Sequence, residues 1–252
     1  MTDPSSVLDR MIRKFERRAP LDNGDRKALR TLPHRVQTIE PGMYVVRDGE
    51  TPTRSCLIVE GFAYRHKVTV EGARQIVSVH IPGDFIDLDG ALLNVSDHNV
   101  QALSRCEIAF FPRAAMQQLI LDHPRVAMAM WVDTLIDGSI FREWVVNVGR
   151  RDARSRIAHL LCEFARRLEV AGLAHEYRYE LPMTQEQLAD ATGLTPVHVN
   201  RTLQTLAREG LIERNRRFVA IPRWEALRKV AGFSETYLHL DQVKSNGSPP
   251  TQ

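Results

Sequence analysis

Along the chain, hydrophobic and polar positions change rhythm twice. Residues 4–32 carry apolar side chains on one helical side, at Val7, Leu8, Met11, Ile12 and Phe15, and Asp25–Leu32 predicts a second short helix before Pro33. From Arg35 to Phe111 the rhythm shortens. Runs at Val36–Ile39, Met43–Val46, Ser55–Glu60, Phe62–Val70, Gln75–His80, Asp84–Ile86, Val100–Leu103 and Glu107–Phe111 read as strands. Pro41-Gly42, Asp48-Gly49, Gly61, Glu71-Gly72 and Pro82-Gly83 punctuate them. Many short strands at regular spacing predict an antiparallel sandwich or barrel of the jelly-roll kind.

After Pro112 the pattern becomes helical. Arg113–Leu121 is a short helix, and Pro124 opens a long one that runs to about Val148. Its apolar residues cover much of the circumference: Val126, Met128, Met130, Trp131, Val132, Leu135, Ile136, Ile140, Phe141, Trp144, Val145 and Val148. Such a helix needs burial on more than one side. One side packs on the β-domain; the other takes a partner, most simply the same helix of a second subunit. Trp131, Leu135, Phe141, Trp144 and Val148 are the candidate dimer contacts, with Asp137 and Gly138 interrupting the seam. A monomeric core helix is the alternative. Arg154–Val170 is a further amphipathic helix, residues 223–231 another, and the polar tail to Gln252 reads as disordered. The expected divisions are helices over 1–34, a β-domain over 35–121, a dimerisation helix over 122–149, a terminal domain over 150–240 and a tail over 241–252.

The stretch from Met183 to Ile221 is the most specific. Thr184 is placed to cap a helix, with Gln187 completing a capping box. Gly193 allows a sharp turn. Thr195 caps a second helix with Pro196 in its first position, and Val199, Leu203 and Leu206 form one buried stripe. Gly210 ends that helix, and apolar runs at Leu211-Ile212 and Phe218–Ile221 around Asn215 read as a hairpin. Helix, turn, helix and hairpin make a winged helix-turn-helix, a module whose second helix reads bases in the major groove. Val197, His198, Asn200, Arg201 and Gln204 are left to face outward. Arg201 suits guanine O6 and N7, and Asn200 or Gln204 suits adenine. Thr195 with Arg214, Arg216 and Arg217 suits phosphates. An αα-hairpin with an accidental strand pair is the bland alternative.

Composition adds modest constraints. The net charge is +3, and residues 150–240 hold 15 Lys/Arg against 11 Asp/Glu, so the positive excess sits with the winged module. No apolar run approaches the ~18–20 residues of a membrane span, and the N-terminus has no signal-peptide core. Cys56, Cys106 and Cys162 are single and far apart, which points to buried or indifferent thiols in a reducing cytoplasm rather than to a disulfide or zinc site. No metal-ligand spacing stands out, no cofactor is expected, and no P-loop, nucleophile elbow, HExxH or dinucleotide fingerprint marks an enzyme.

The order of jelly roll, long helix and winged helix-turn-helix resembles the CRP/FNR family of bacterial transcription regulators over about residues 20–235. The segments that carry the likeness are Pro82–Ile86, Asp152–Ala158 and Thr184–Ile212. The resemblance implies a homodimer on a two-fold symmetric DNA operator, RNA polymerase as a partner, and a small-molecule effector in the β-domain. It places Arg201 on guanine and Thr195 on phosphate, while Pro196, Val197 and His198 differ from the cyclic-AMP receptor and imply a different operator. The effector site departs further. The glutamate-bearing element is replaced by Ile86-Asp87-Leu88-Asp89-Gly90, and the arginine that grips the cyclic phosphate is missing from Ser96–Val100, so cyclic AMP is not expected in the usual mode. The N-terminal cysteine cluster of the iron–sulfur branch is absent, and no spacing singles out a haem ligand among nine histidines. Asp84, Asp87, Asp89, Asp97 and His98 form a possible effector pocket, for a small cation or a polar molecule, if their loop folds back; a solvated loop is the alternative. A sensor whose winged domain contacts protein rather than DNA is the rival reading of function.

Overall fold

A computed structural model of the chain describes residues 8–215 and 218–240. Val7, the tail 241–252 and two of the wing arginines, Arg216 and Arg217, lie outside the described residues. The architecture is α+β, and the chain divides into two compact units. The first comprises residues up to 65, 79–138 and from 239 on; the second comprises 66–78 and 139–238.

The first unit opens with helices α1 (Asp9–Glu16) and α2 (Asn23–Thr31). The second of these starts two residues earlier than its apolar pattern indicates, because Asp22 and Asp25 close a capping box. Seven strands follow: β1 (Arg35–Ile39), β2 (Tyr44–Val46), β3 (Arg54–Glu60), β4 (Ala63–Val68), β5 (Arg74–His80), β6 (Asn99–Ala102) and β7 (Cys106–Pro112). They form two sheets, ordered β1-β7-β3 and β2-β6-β4-β5. Leu57 pairs with Ala109 and Ile58 with Ile108 in the antiparallel β3–β7 ladder.

Strand alternation explains how that ladder feeds two cores. Leu57, Val59, Ala109 and Phe111 point to a cluster with Met11, Ile12, Phe15 and Leu29 of the N-terminal helices. Cys56, Ile58, Ile108 and Phe110 point the other way, to Val46, Ile86 and Val100. All three cysteines are free and buried, and burial pushes the Cys56 thiol up. The expected strand at Asp84–Ile86 shrinks to one bridge, Leu57↔Phe85, although Ile86 N–H still donates to Cys56 O at 2.9 Å. Gly61 makes the β3–β4 turn possible. It sits at φ +82°, and a Cβ there would lie 2.3 Å from the Arg105 carbonyl oxygen.

Helix α3 (Arg113–Asp122) leads to α4 (Pro124–Arg150), a 27-residue helix. It then gives way to α5 (Ala153–Val170), capped by Asp152, whose side chain accepts from Ser155 N–H at 2.8 Å. The second unit continues with β8 (Arg178–Glu180), α6 (Gln185–Thr192), α7 (Pro196–Arg208), β9 (Glu213–Asn215), β10 (Phe218–Ala220) and α8 (Trp224–Ala231). The hairpin β9–β10 gains β8 as a third strand, in the order β8-β10-β9.

The long helix carries an apolar stripe that is exposed among the described residues. Met128, Trp131, Leu135, Phe141 and Val145 are between 49% and 67% exposed. Trp144, expected among the dimer contacts, belongs elsewhere. It is 5% exposed and its indole N–H donates to both oxygens of Glu163 at 3.1 Å. A buried indole N–H requires such an acceptor, and that requirement turns the ring inward. Val148 is half-buried and packs toward Gly193 of the turn between α6 and α7.

Candidate nucleic-acid interface and effector pocket

In the second unit, the reading surface is built from its caps outward. Thr184 Oγ1 accepts from Gln187 N–H at 3.2 Å while Gln187 Oε1 accepts from Thr184 N–H at 2.8 Å, so the capping box forms as the sequence predicts. Gly193 ends α6 in the left-handed region at φ +63°. Thr195 caps α7 by accepting from His198 N–H at 3.3 Å, with Pro196 in the first turn. The inward stripe is complete: Val199, Leu203 and Leu206 are at most 2% exposed, and Thr202 joins them.

That stripe fixes what faces out. Val197, His198, Arg201 and Gln204 are exposed and Asn200 is half-buried. Arg201 makes no hydrogen bond or ion pair among the described residues, so its five donors are available to a ligand. A groove of about 670 Å³ runs beside this face, lined by Asp152, Arg154, Thr195, His198, Arg201 and Thr205. In the wing, Arg214 is exposed on β9.

The second unit also holds a network of buried polar contacts. Glu163 of α5 is fully buried and holds Trp144, Tyr237 Oη at 2.8 Å and Arg167 Nη1 at 3.4 Å. Burial pushes its carboxyl up, against the pull of the Arg167 cation and these hydrogen bonds. Nearby, His159 stacks on Tyr237 with ring centroids 5.8 Å apart and meets Phe233 edge-on at 5.4 Å. Burial, helped by the Arg151 cation, holds its imidazole down at about 3. Arg74 also belongs to this unit, and its guanidinium lies 2.7 Å from the Asp190 carboxylate of α6.

The family models place these features. A cyclic nucleotide-binding domain model matches residues 36–123, and a Crp-like helix-turn-helix domain model matches residues 155–230. The chain belongs to the CRP/FNR family of transcription regulators. Among its relatives, the transcriptional activator protein FnrL of Cereibacter sphaeroides is 28% identical over 200 residues, covering 78% of this chain and 80% of that protein. The nitrogen fixation regulation protein FixK of Bradyrhizobium diazoefficiens is 28% identical over 192 residues, covering 76% and 79%. The structure of FixK2 from Bradyrhizobium japonicum superposes with a TM-score of 0.73 at 22% identity, over 81% of this chain and all of that one. Like its relatives, this CRP/FNR member is a DNA-binding transcription regulator, not an enzyme. No described helix is long and apolar enough to cross a membrane.

Within the regulator's β-domain, the five residues of the expected effector pocket separate. Asp84 is used structurally. Its Oδ1 takes Lys14 Nζ at 2.9 Å and its Oδ2 takes Ile81 N–H at 3.0 Å, because a carboxylate buried at that turn must be neutralised. Lys14 is shared with Asp133 at 2.7 Å. Asp97 points to solvent, its side chain 87% exposed. Asp87, Asp89 and His98 do converge, each offering a ligand atom within 4.8 Å of the others. Burial first, and then the Asp89 carboxylate, push Asp87 up to about 7. The guanidinium closest in effect is Arg65, which spends Nη1 on Asp137 and Nη2 on the Ile86 carbonyl, each at 3.0 Å. The sequence motif identified the acids. Which three meet is set by the 3₁₀ turn Asp89–Ala91, which has no strong signature in the sequence.

Proposed function

We propose that the chain works as a homodimer that reads a palindromic operator with α7 in the major groove. Arg201, His198, Asn200 and Val197 contact base edges. Thr195 and the free N–H groups of the α7 N-terminus take a phosphate, and the wing arginines Arg216 and Arg217 take others. The observation that carries this reading is the exposed, unpaired Arg201 on a helix whose opposite face is fully committed to the core. Two such helices one turn of DNA apart, ~34 Å, match a two-fold symmetric site. RNA polymerase is the partner that an activator role entails.

The dimer seam follows the exposed stripe of α4. Met128, Trp131, Leu135 and Val145 recur at spacings of three and four with Gly138 and Arg142 between them, the heptad geometry of paired helices. Phe141 flanks the seam. Cyclic AMP in the family's usual mode is disfavoured, since Ser96–Val100 supplies no arginine for the cyclic phosphate and the acids Asp87 and Asp89 repel it.

Selection of bound duplexes from a random DNA library tests the reading, using the full chain and its Arg201→Ala variant. An enriched palindrome that Arg201→Ala relaxes at one base step in each half-site supports it. A protein that is dimeric yet enriches nothing, with or without cell extract, overturns it. Leu135→Glu tests the seam by sedimentation: a shift from dimer to monomer is expected, and an unchanged dimer excludes this stripe.

A further inference from the structure

We infer that Asp87, Asp89 and His98 form a binding site for a divalent transition-metal ion in the β-domain. Two observations carry this independently. The first is convergence: the ligand atoms of the three residues lie within 4.8 Å of one another. Three atoms bound at ~2.1 Å to a common ion lie roughly 3–4 Å apart, so side-chain adjustments of about one ångström close the set.

The second observation is the state of His98. The residue is 4% exposed, and its Nδ1 lies 2.8 Å from Asp97 Oδ1. A carboxylate there accepts the Nδ1 proton, which leaves the lone pair on Nε2. That Nε2 is buried and has no hydrogen-bond partner, a condition that costs free energy unless something binds it. An imidazole oriented by a carboxylate on one nitrogen and open on the other is the arrangement that metal-ligating histidines adopt. Asp97 is thus a positioning residue and not a ligand.

The supporting backbone fits the role. Asp87 accepts from Gly90 N–H, and a Cβ at position 90 would stand 2.6 Å from Asp87 Oδ2. Glycine at this position therefore lets the carboxylate lie against the 3₁₀ turn. Asp87 also shares a side-chain hydrogen bond with Asp89, and a carboxylate keeps acceptor sites beyond these two bonds. Two oxygens and one imidazole favour zinc, manganese, iron or nickel over magnesium or calcium. The inference does not depend on DNA reading, since the ion itself is measured.

The test uses the full chain, stripped with chelator and titrated with Co²⁺ and Zn²⁺. Calorimetry should give one equivalent per chain, and Co²⁺ should develop visible absorption of a nitrogen–oxygen site. His98→Ala and Asp87→Asn should abolish both signals. Because His98→Ala opens a hole in a buried site, Asp97→Asn is the sharper variant. Its side chain is exposed, and it should weaken binding ~10–100-fold without loss of stoichiometry. No binding at one equivalent, or an affinity unchanged in both Asp97→Asn and His98→Ala, overturns the inference.

Discussion

The two units treat polarity in opposite ways. In the second, polar donors stand outward on a regular helix: Arg201 and His198 are exposed while Val199, Leu203 and Leu206 anchor the far side. In the first, two carboxylates and an imidazole are drawn inward, where Asp87 and His98 are buried and Asp89 half-buried. A surface of the first kind can lose a side chain without disturbing its frame. A cluster of the second kind is bound up with the packing that encloses it. The difference teaches which residues should separate function from stability under substitution.

The largest effect should come where polarity is buried in the second unit itself. Glu163→Ala leaves the Trp144 indole and the Tyr237 hydroxyl without their acceptor and the Arg167 cation without its anion. Breaking a buried charged network costs ~3–5 kcal/mol, and urea unfolding should show a loss of that order. A small change would mean that the outward frame does not rest on Glu163. Arg201→Ala should do the reverse. It should cost ~1–3 kcal/mol of DNA affinity, read by anisotropy at fixed salt, with a stability change within ~0.5 kcal/mol. Thr184→Ala is smaller still, at ~1 kcal/mol of stability through the lost cap.

A pH titration sharpens the same contrast. His159 is held at about 3 in the fold, below its ordinary 6.5. As pH falls through 6.5 the unfolded chain takes up a proton that the folded chain refuses until about 3. The contribution is therefore fully present above 6.5 and drains away below it. Urea midpoints between pH 4 and 8 should slope accordingly, and His159→Phe, which retains the ring contacts with Tyr237 and Phe233, should flatten that slope. An identical slope in the variant would place the titration elsewhere.

Legibility in the sequence followed regularity. Helix α7 was readable to its capping residues because a 3.6-residue period, Thr195, Pro196 and Gly193 all agree on one structure. The jelly-roll strands were readable from turn residues at even spacing. Strand β8 was not, because the turn before it carries Glu176 and Tyr177 at φ +50° and +56° where asparagine or glycine is usual. Tyr177 stacks on Trp224 with centroids 4.2 Å apart and a 4° tilt, a distant contact with no local sign. Trp144 misled for a related reason: its place in the apolar run is ordinary, and only Glu163, on another helix, turns it inward. Asp84 looked like its neighbours Asp87 and Asp89 until Lys14, seventy positions earlier, claimed it.

The uncovered stripe on α4 has a consequence for how the molecule counts itself. A chain that exposes Trp131 at 67% and Leu135 at 58% has reason to pair, and a palindrome is filled only by pairs. For the proposed homodimer, occupancy of such a site would rise with roughly the square of chain abundance while monomers predominate. The rate at which the cell makes the protein would then become an input in its own right, whatever small molecule the β-domain takes.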